Sequence, residues 1–131
     1  MIIVRNSMIP WGGYKAMTIF PFIFVQEDES FNKVDERHEM IHGRQQEEMF
    51  FIGIVLAAVF FFLGCGWWSL LGLLLFYIWY VLEWLIRHFF CSDAYRNISF
   101  EQEAYENEGF PNYLEDRKPF AWMKYLFKNS K

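Results

Sequence analysis

Two histidines and a glutamate stand close together in the segment His38-Glu39-Met40-Ile41-His42. Histidines four residues apart on a helix project from the same face, so both imidazoles can bind one metal ion, for which zinc is the best match. A glutamate beside such a pair is typical of a general base, which takes a proton from metal-activated water and passes it to the leaving amine. The segment therefore predicts a zinc site with Glu39 as the catalytic base.

A third metal ligand must come from another part of the chain, because a catalytic zinc site usually has three protein ligands. His88 is the remaining histidine. The stronger candidates are carboxylates on a predicted helix further along the chain, where Glu101 and Glu103 both occur. These two residues point about 200° apart around a helix, so we expect at most one of them to bind the metal.

The HExxH segment and a later helical glutamate together resemble the gluzincin zinc metallopeptidases. His42-Gly43-Arg44-Gln45, which leads straight into an apolar stretch, is similar to small bacterial membrane relatives of that group. Apolar helices placed between HExxH and the glutamate helix also resemble the CAAX-processing membrane peptidases. The resemblance covers residues 38–48 well, 100–108 loosely and 1–33 at the level of the fold. It implies a membrane-embedded zinc peptidase with a minimal zincin-like fold.

The resemblance also bears on the choice of third ligand. In gluzincins this ligand is the first residue of ExxxD, often with alanine before the aspartate, which implies Glu101 with Ala104 matching. Tyr105 then occupies the aspartate position, where the family usually has a carboxylate that holds a histidine ligand in its tautomer. A second alignment of the pattern starts at Glu103 and places Asn107 four residues later. It puts a polar residue at the aspartate position, but no alanine precedes that position. Glu101 is favoured and Glu103 is the alternative.

Other residues are weaker candidates for the site. Gln45 lies one turn beyond His42 and is expected to hydrogen-bond a ligand or the substrate, if it is not simply solvated. Tyr105 or Tyr113 is a candidate for stabilising the oxyanion that forms when water attacks a peptide carbonyl. The gluzincin resemblance implies that the strand around residues 16–20 offers its edge to an extended substrate.

Two apolar segments are the elements that must position these residues. No charged residue occurs from Met49 to Leu82, and the sequence Gly64-Cys65-Gly66-Trp67-Trp68-Ser69 divides this stretch. The lengths predict a transmembrane helical hairpin, with the HExxH helix running into the first span over residues 35–63 and the second span over 70–90. A chain of 131 residues is too small to cover so long an uncharged stretch with protein. Aromatic belts are expected at Trp67, Trp68, Trp79, Tyr80 and Trp84.

The remaining elements complete a single domain over residues 1–131. A β-hairpin and loop are predicted for residues 1–34, with Asn32 and Asp35 capping the HExxH helix. A capping box beginning at Ser99 predicts a glutamate helix over residues 99–109. The segment 119–128 is expected to lie along the membrane surface or to pack on the domain. The fold class is thus a mainly α membrane protein with a small β-hairpin and C-terminal helices.

The charge of the chain limits the classes of partner that it can bind. A net charge of -4 and a pI near 5.3 argue against nucleic acid, which requires a basic face. The expected partners are the lipid bilayer, a peptide or membrane-protein substrate and, in a homo-oligomer, a second copy of the chain. Arginines flank the outer ends of the hairpin, and its connection is uncharged, which predicts an integral protein of the bacterial inner membrane with both termini cytoplasmic.

Two other interpretations remain open at this point. In the first, zinc only stabilises a non-catalytic membrane subunit or adaptor by joining the HExxH helix to the C-terminal helix. In the second, the chain is a metal-free membrane interaction module. A zinc peptidase is favoured over both, because a structural zinc site seldom needs a glutamate next to its first histidine and usually contains cysteine.

Overall fold

The protein, described over residues 1–128 by a computed structural model, begins with a small three-stranded sheet. The strands are β1 (Ile2–Asn6), β2 (Ala16–Ile19) and β3 (Phe22–Gln26), in the spatial order β1-β3-β2. A hairpin does lie within residues 1–34, but it is formed by the antiparallel strands β2 and β3, and β1 runs parallel to β3 and does not pair with β2. β2 is therefore an edge strand of this sheet.

The longest element is helix α1 (Lys33–Phe62), which carries the histidine pair in its first half. Asn32 caps this helix as predicted: its side-chain oxygen accepts hydrogen bonds from the N–H groups of Val34 and Asp35, at 2.8 and 3.0 Å. Asp35 in turn accepts from the N–H group of Asn32 at 2.8 Å, which completes a capping box. No proline interrupts the helix, so one rigid rod runs from a polar first half to an apolar second half.

The second apolar segment departs from its prediction of one α-helix over residues 70–90. The chain forms a 3₁₀ segment (Gly66–Leu74) and then helix α2 (Leu75–Phe90). Helix α1 and the combined segment Gly66–Phe90 are both long and apolar enough to cross a membrane. Their apolar windows are 22% and 17% buried by the rest of the protein. The core helices of soluble proteins, by comparison, are mostly buried.

Small residues explain the 3₁₀ geometry of the second segment. A 3₁₀ helix has three residues per turn, so Gly66, Ser69 and Gly72 stack on one face. The packing on α1 is tight at Gly72, where an added Cβ atom would touch the backbone oxygen of Gly53 at 2.6 Å and the backbone nitrogen of Ala57 at 3.1 Å, whereas Gly66 has open space beside it. The two backbones can approach this closely because glycine has no side chain.

Helix α3 (Ser99–Asn107) is capped in a way that the sequence did not predict. The expected box between Ser99 and Gln102 is absent, since Gln102 donates to backbone carbonyls outside the helix. Instead, the Glu83 carboxylate on α2 accepts hydrogen bonds from the Ser99 N–H and hydroxyl groups at 2.8 and 2.7 Å. Arg87 lies 3.2 Å from the same carboxylate. A charge on α2 thus stabilises the positive end of α3.

The C-terminal segment packs on the domain, which is one of the two arrangements expected for residues 119–128. It follows helix α4 (Tyr113–Asp116) and contains a 3₁₀ turn (Ala121–Tyr125). Trp122 and Tyr125 are almost fully buried, because the turn closes the hydrophobic core between α1, α2 and α3. That core consists of Met49, Phe76, Ile98, Phe100 and Trp122.

The contact between α1 and the 3₁₀ segment predicts an unusual effect of alanine. Alanine in place of a glycine inside a helix normally stabilises it by about 1 kcal/mol. We expect Gly53→Ala instead to destabilise the protein by roughly 1–3 kcal/mol, because its Cβ atom would collide with the Gly72 carbonyl. The free energy of unfolding in mixed detergent micelles measures this change.

Gly43→Ala on the same helix is the matched control. Its Cβ atom would meet mainly the flexible end of the Met1 side chain, which can move away. This variant is expected to be neutral or slightly stabilising. Equal effects of the two substitutions would show that the close approach of Gly53 and Gly72 does not constrain the hairpin.

Candidate metal centre

The two histidines of α1 face each other across one helical turn. His38 Nε2 and His42 Nε2 are 3.1 Å apart, and both rings lie in the interior, with His42 the more buried. The spacing of four residues produces this pairing, because side chains at i and i+4 lie on the same helix face. Two imidazole nitrogens are thus aimed at one point.

Helix α3 places the Glu101 carboxylate at the same point. Its Oε2 atom lies 3.4 Å from His38 Nε2, and its Oε1 atom lies 3.4 Å from His42 Nε2. Glu101 is only 2% exposed. The three side chains form a cluster that could bind a metal ion.

The spacing of the donor atoms suits zinc. Zinc binds nitrogen at about 2.0–2.1 Å and carboxylate oxygen at about 2.0–2.2 Å, so neighbouring donors in a tetrahedral site are about 3.3–3.5 Å apart. The two imidazole nitrogens are 3.1 Å apart, and each Glu101 oxygen lies 3.4 Å from one of them. One donor atom from each of the three residues lies within 4.8 Å of the others, so small side-chain movements would bring them to the spacing of a zinc site.

An unpaired oxygen also indicates a cation here. Glu101 Oε1 accepts a hydrogen bond from the Tyr80 hydroxyl at 2.8 Å, whereas Oε2 is buried and accepts none from the residues that the structure describes. A buried carboxylate oxygen without a partner is costly. Burial by itself would raise the pKa of Glu101, but in the absence of metal the positive charge of the protonated His42 and His38 rings lowers that pKa below its usual range. The group is therefore an ionised ligand at neutral pH.

The far sides of the two imidazoles are held by hydrogen-bond acceptors. His38 Nδ1 is 2.7 Å from a Glu108 oxygen, and His42 Nδ1 is 2.8 Å from the side-chain oxygen of Gln45. Acceptors in these positions favour a proton on each Nδ1, which leaves both Nε2 lone pairs free for a metal. Gln45 makes the contact with a ligand that its position predicts.

Glu108 is a residue that sequence reasoning missed. The gluzincin pattern implies an aspartate four residues after the ligand, and Tyr105 stands there. The structure supplies a carboxylate seven residues after Glu101 instead, which is on the same face of α3 two turns later. The spacing of seven was the available signal.

The alternative ligand Glu103 does not fit the arrangement. It points away from the histidines, as its position on the helix requires, and is fully buried. Arg117 Nε lies 2.5 Å from Glu103 Oε1, the Tyr113 hydroxyl donates to that oxygen at 2.9 Å, and the Gln45 amide donates to Oε2 at 3.0 Å. Glu103 thus supports the cluster through Gln45 and does not join it.

Neither Tyr105 nor Tyr113 is among the residues that line the cavity beside the cluster. Tyr113 is bound to Glu103, and the Tyr105 ring packs edge-on against His38 with 4.7 Å between ring centroids. Tyr80 and Tyr95, however, line a cavity together with His42 and Glu101. Burial, followed by the charge of Glu101, raises the pKa of Tyr95 far above its usual range, so its hydroxyl remains a donor. Sequence spacing gave no signal for either residue.

His88, the third histidine, lies apart from the cluster. Its ring packs against Trp84 and Phe89 near the end of α2. It is not among the residues whose donor atoms converge at the candidate metal centre. The hypothesis that His88 completes the site is therefore not supported by the described structure.

Glu39, the predicted base, lies beside the cluster and against the sheet. Its Oε2 atom accepts a hydrogen bond from the Thr18 hydroxyl at 2.7 Å, and the same hydroxyl lies 3.0 Å from the Glu39 backbone oxygen. Glu39 and Thr18 both line the cavity that contains His42 and Glu101. The sheet thus fixes the direction of the Glu39 carboxylate.

Gln46 joins the same helix to the edge strand. Its side-chain amide donates to the Thr18 carbonyl at 2.7 Å and accepts from the Phe20 N–H group at 2.8 Å. These are the contacts that a neighbouring strand would make. The last part of the β2 edge is therefore paired with a side chain, and the part next to Ala16 lines the cavity.

Comparisons of the chain with protein-family models, with curated proteins and with solved structures found no match. The functional interpretation therefore depends on the geometry of the site.

Removal of the central carboxylate should release the metal. We expect the purified protein to bind one zinc ion per chain and Glu101→Ala to lower the affinity for zinc more than 100-fold, or about 3 kcal/mol. Glu106→Ala is the control on the same helix, because Glu106 is exposed and pairs with Lys128. Metal analysis with a competing chelator measures both. Wild-type affinity in Glu101→Ala would contradict the proposed ligand set.

Glu108, which contacts His38, should affect the metal affinity less than a ligand does, but by a measurable amount. Glu108→Ala removes the acceptor on His38 Nδ1, and losses of such partners typically cost about 10–100-fold in metal affinity. Glu115→Ala, an exposed carboxylate on α4, is expected to change nothing. The same competition titration measures this effect. Equal affinities of the two variants would show that Glu108 does not orient the ring.

Proposed function

We propose that this protein is a membrane-embedded zinc peptidase that hydrolyses peptide bonds at the membrane interface. The observation that carries the proposal is one cavity whose wall includes Glu39, His42, Glu101 and part of the edge strand β2. A base, metal donors and a strand edge are the parts that zinc-dependent hydrolysis of an extended peptide requires. Their convergence from three separate elements supports a catalytic role.

Glu39 would serve as the general base. His38, His42 and Glu101 would hold a zinc ion, which would supply Lewis acidity for activating water and polarising a carbonyl group. Glu39 then accepts a proton from the attacking water and delivers it to the leaving amine. The hydrogen bond from Thr18 keeps its carboxylate directed along the cavity wall before substrate arrives.

Tyr95 would stabilise the negative charge that develops on the attacked carbonyl. Its hydroxyl remains protonated because burial raises the pKa of Tyr95, and its side chain lines the cavity beside Glu101. Tyr80 has a different role in this proposal, since its hydroxyl already donates to the Glu101 carboxylate. A fixed donor at the oxyanion commonly contributes about 2.7–4 kcal/mol to catalysis.

The apolar spans support placement in a membrane. Both spans present many large apolar side chains to the exterior, including Phe61, Phe62, Trp67 and Trp68. The metal cluster lies on the polar half of α1, so it would stand at the membrane surface and not in the hydrocarbon interior. Arginines near the outer ends of the hairpin favour a bacterial inner-membrane protein with both termini in the cytoplasm.

One observation favours a second candidate function, a zinc-stabilised subunit without activity. Glu39 is bound by Thr18 and so has a structural contact of its own, and zinc would join α1 to α3 whether or not catalysis occurs. In that case Glu39→Gln would leave every property unchanged, whereas His42→Ala would unfold the protein. The two candidates therefore predict different results.

Replacement of the base should separate catalysis from metal binding. We expect Glu39→Gln to retain zinc and to lower the rate of peptide cleavage by about 10²–10⁴-fold, since an amide cannot accept the proton. The assay follows a quenched fluorescent peptide with full-length protein in lipid nanodiscs, before and after removal and return of zinc. Glu36→Gln on the same helix is the control, because its carboxylate pairs with Lys33 at the surface.

Each result has a defined meaning. Cleavage by the wild-type protein that chelation and Glu39→Gln both abolish supports the peptidase. Cleavage at an unchanged rate in Glu39→Gln rejects Glu39 as the base. A wild-type protein that binds zinc but cleaves none of a diverse peptide set, and that unfolds on His42→Ala, supports the structural subunit.

A further inference from the structure

The cavity next to the candidate metal centre is much larger than a water site. It encloses about 700 Å³, which is within the range of pockets that hold organic ligands. The ionisable and amide groups Glu39, His42, Gln46 and Glu101 lie on the side formed by α1 and α3, next to the Thr18 hydroxyl of β2. The remaining wall is mostly apolar and aromatic. A site for water and a metal ion alone does not require such a wall.

Helix α2 supplies one side of this apolar wall. Five of its residues line the cavity, at spacings of one and four that place them on a single face: Phe76, Tyr77, Tyr80, Val81 and Trp84. All five belong to the span Gly66–Phe90, which is apolar enough to cross a membrane. In the membrane placement proposed above, this apolar wall would lie at the level of the bilayer.

The N-terminal sheet supplies the opposite side. Trp11 and Tyr14 from the loop before β2, with Met17 and Ile19 from β2 itself, complete the apolar lining. The same strand presents its edge next to Ala16, beyond the part that Gln46 pairs with. An extended chain placed along β2 would thus direct alternate side chains towards α2.

We propose that this cavity binds large apolar side chains of a membrane-protein segment that the enzyme cleaves. This inference rests on the proposed peptidase function, and it specifies the substrate class of that site. Three observations agree on this occupant: the strand edge fits an extended peptide, the lining fits aromatic or long aliphatic side chains, and the α2 wall lies in the apolar span. A soluble hydrophilic peptide would leave this lining unused.

The expected size of the preference follows from burial. Full burial of a large apolar side chain is favourable enough to strengthen binding by about 10–100-fold over alanine at the same position. The cavity has room for several such side chains. Binding should therefore depend strongly on the residues that flank the cleaved bond.

Binding to a non-cleaving protein tests this inference without relying on turnover. The zinc-loaded Glu39→Gln protein in lipid nanodiscs is titrated with two peptides of equal length that have blocked termini. One peptide has phenylalanine and leucine around the central bond, and the other has alanine at both positions. Empty nanodiscs correct for partition of the peptides into lipid. We expect the apolar peptide to bind at least about tenfold more tightly than the alanine peptide.

A matched pair of substitutions locates the binding. Val81→Trp fills the cavity from α2 and should remove most of the preference for the apolar peptide. Leu82→Trp places the same side chain at the adjacent residue, which is outside the lining. Val81 and Leu82 are 54% and 53% exposed, so both variants should fold equally well. Zinc content and thermal unfolding confirm that they do.

The outcomes distinguish this inference from the function on which it rests. Equal binding of the two peptides, or equal loss in Val81→Trp and Leu82→Trp, overturns the assignment of the cavity. Tighter binding of the apolar peptide that is lost in Val81→Trp and kept in Leu82→Trp supports the assignment of the cavity. This conclusion holds even if the wild-type protein cleaves no peptide and the peptidase proposal fails. Cleavage of both peptides with equal efficiency would leave the peptidase proposal standing and would reject the substrate class.

Discussion

The buried carboxylate of Glu101 is the constraint on which the rest of the site depends. A charge this far from water is stable only with compensating charge or hydrogen bonds, and here the available partners are two imidazoles and one tyrosine hydroxyl. Those partners come from α1 and α2, while Glu101 comes from α3. Three helices must therefore keep fixed distances if this charge is to remain satisfied.

A second buried charge keeps α3 in the required position. Glu83 on α2 holds the first turn of α3 through Ser99, and Arg87 links the same carboxylate to backbone carbonyls of the C-terminal segment. One turn further along α3, Glu103 is bound to Arg117, which also contacts Glu48 on α1. Buried charges thus hold both turns of this short helix against its neighbours.

Local signals predicted much of this arrangement. Asn32 and Asp35 fixed the start of α1, the spacing of His38 and His42 placed both rings on one face, and the 200° between Glu101 and Glu103 separated the two candidates. The parts that were missed depend on contacts between distant residues. Glu83 capping α3 and Gln46 pairing with β2 leave no pattern within a short window, whereas Glu108 could have been found from its spacing of seven residues after Glu101. The 3₁₀ segment did have one, since Gly66, Ser69 and Gly72 recur every three residues.

The placement of the donors on both sides of the hairpin also determines when the site can exist. His38 and His42 are synthesised before the two apolar segments, whereas Glu101 follows them. The part of the chain that leaves the ribosome first therefore contains only two of the three donors. Two imidazoles alone bind zinc far more weakly than three fixed donors. A metal centre at this place would therefore form only after both apolar segments have been made and α3 has packed against α1, so metal binding would depend on completion of the fold.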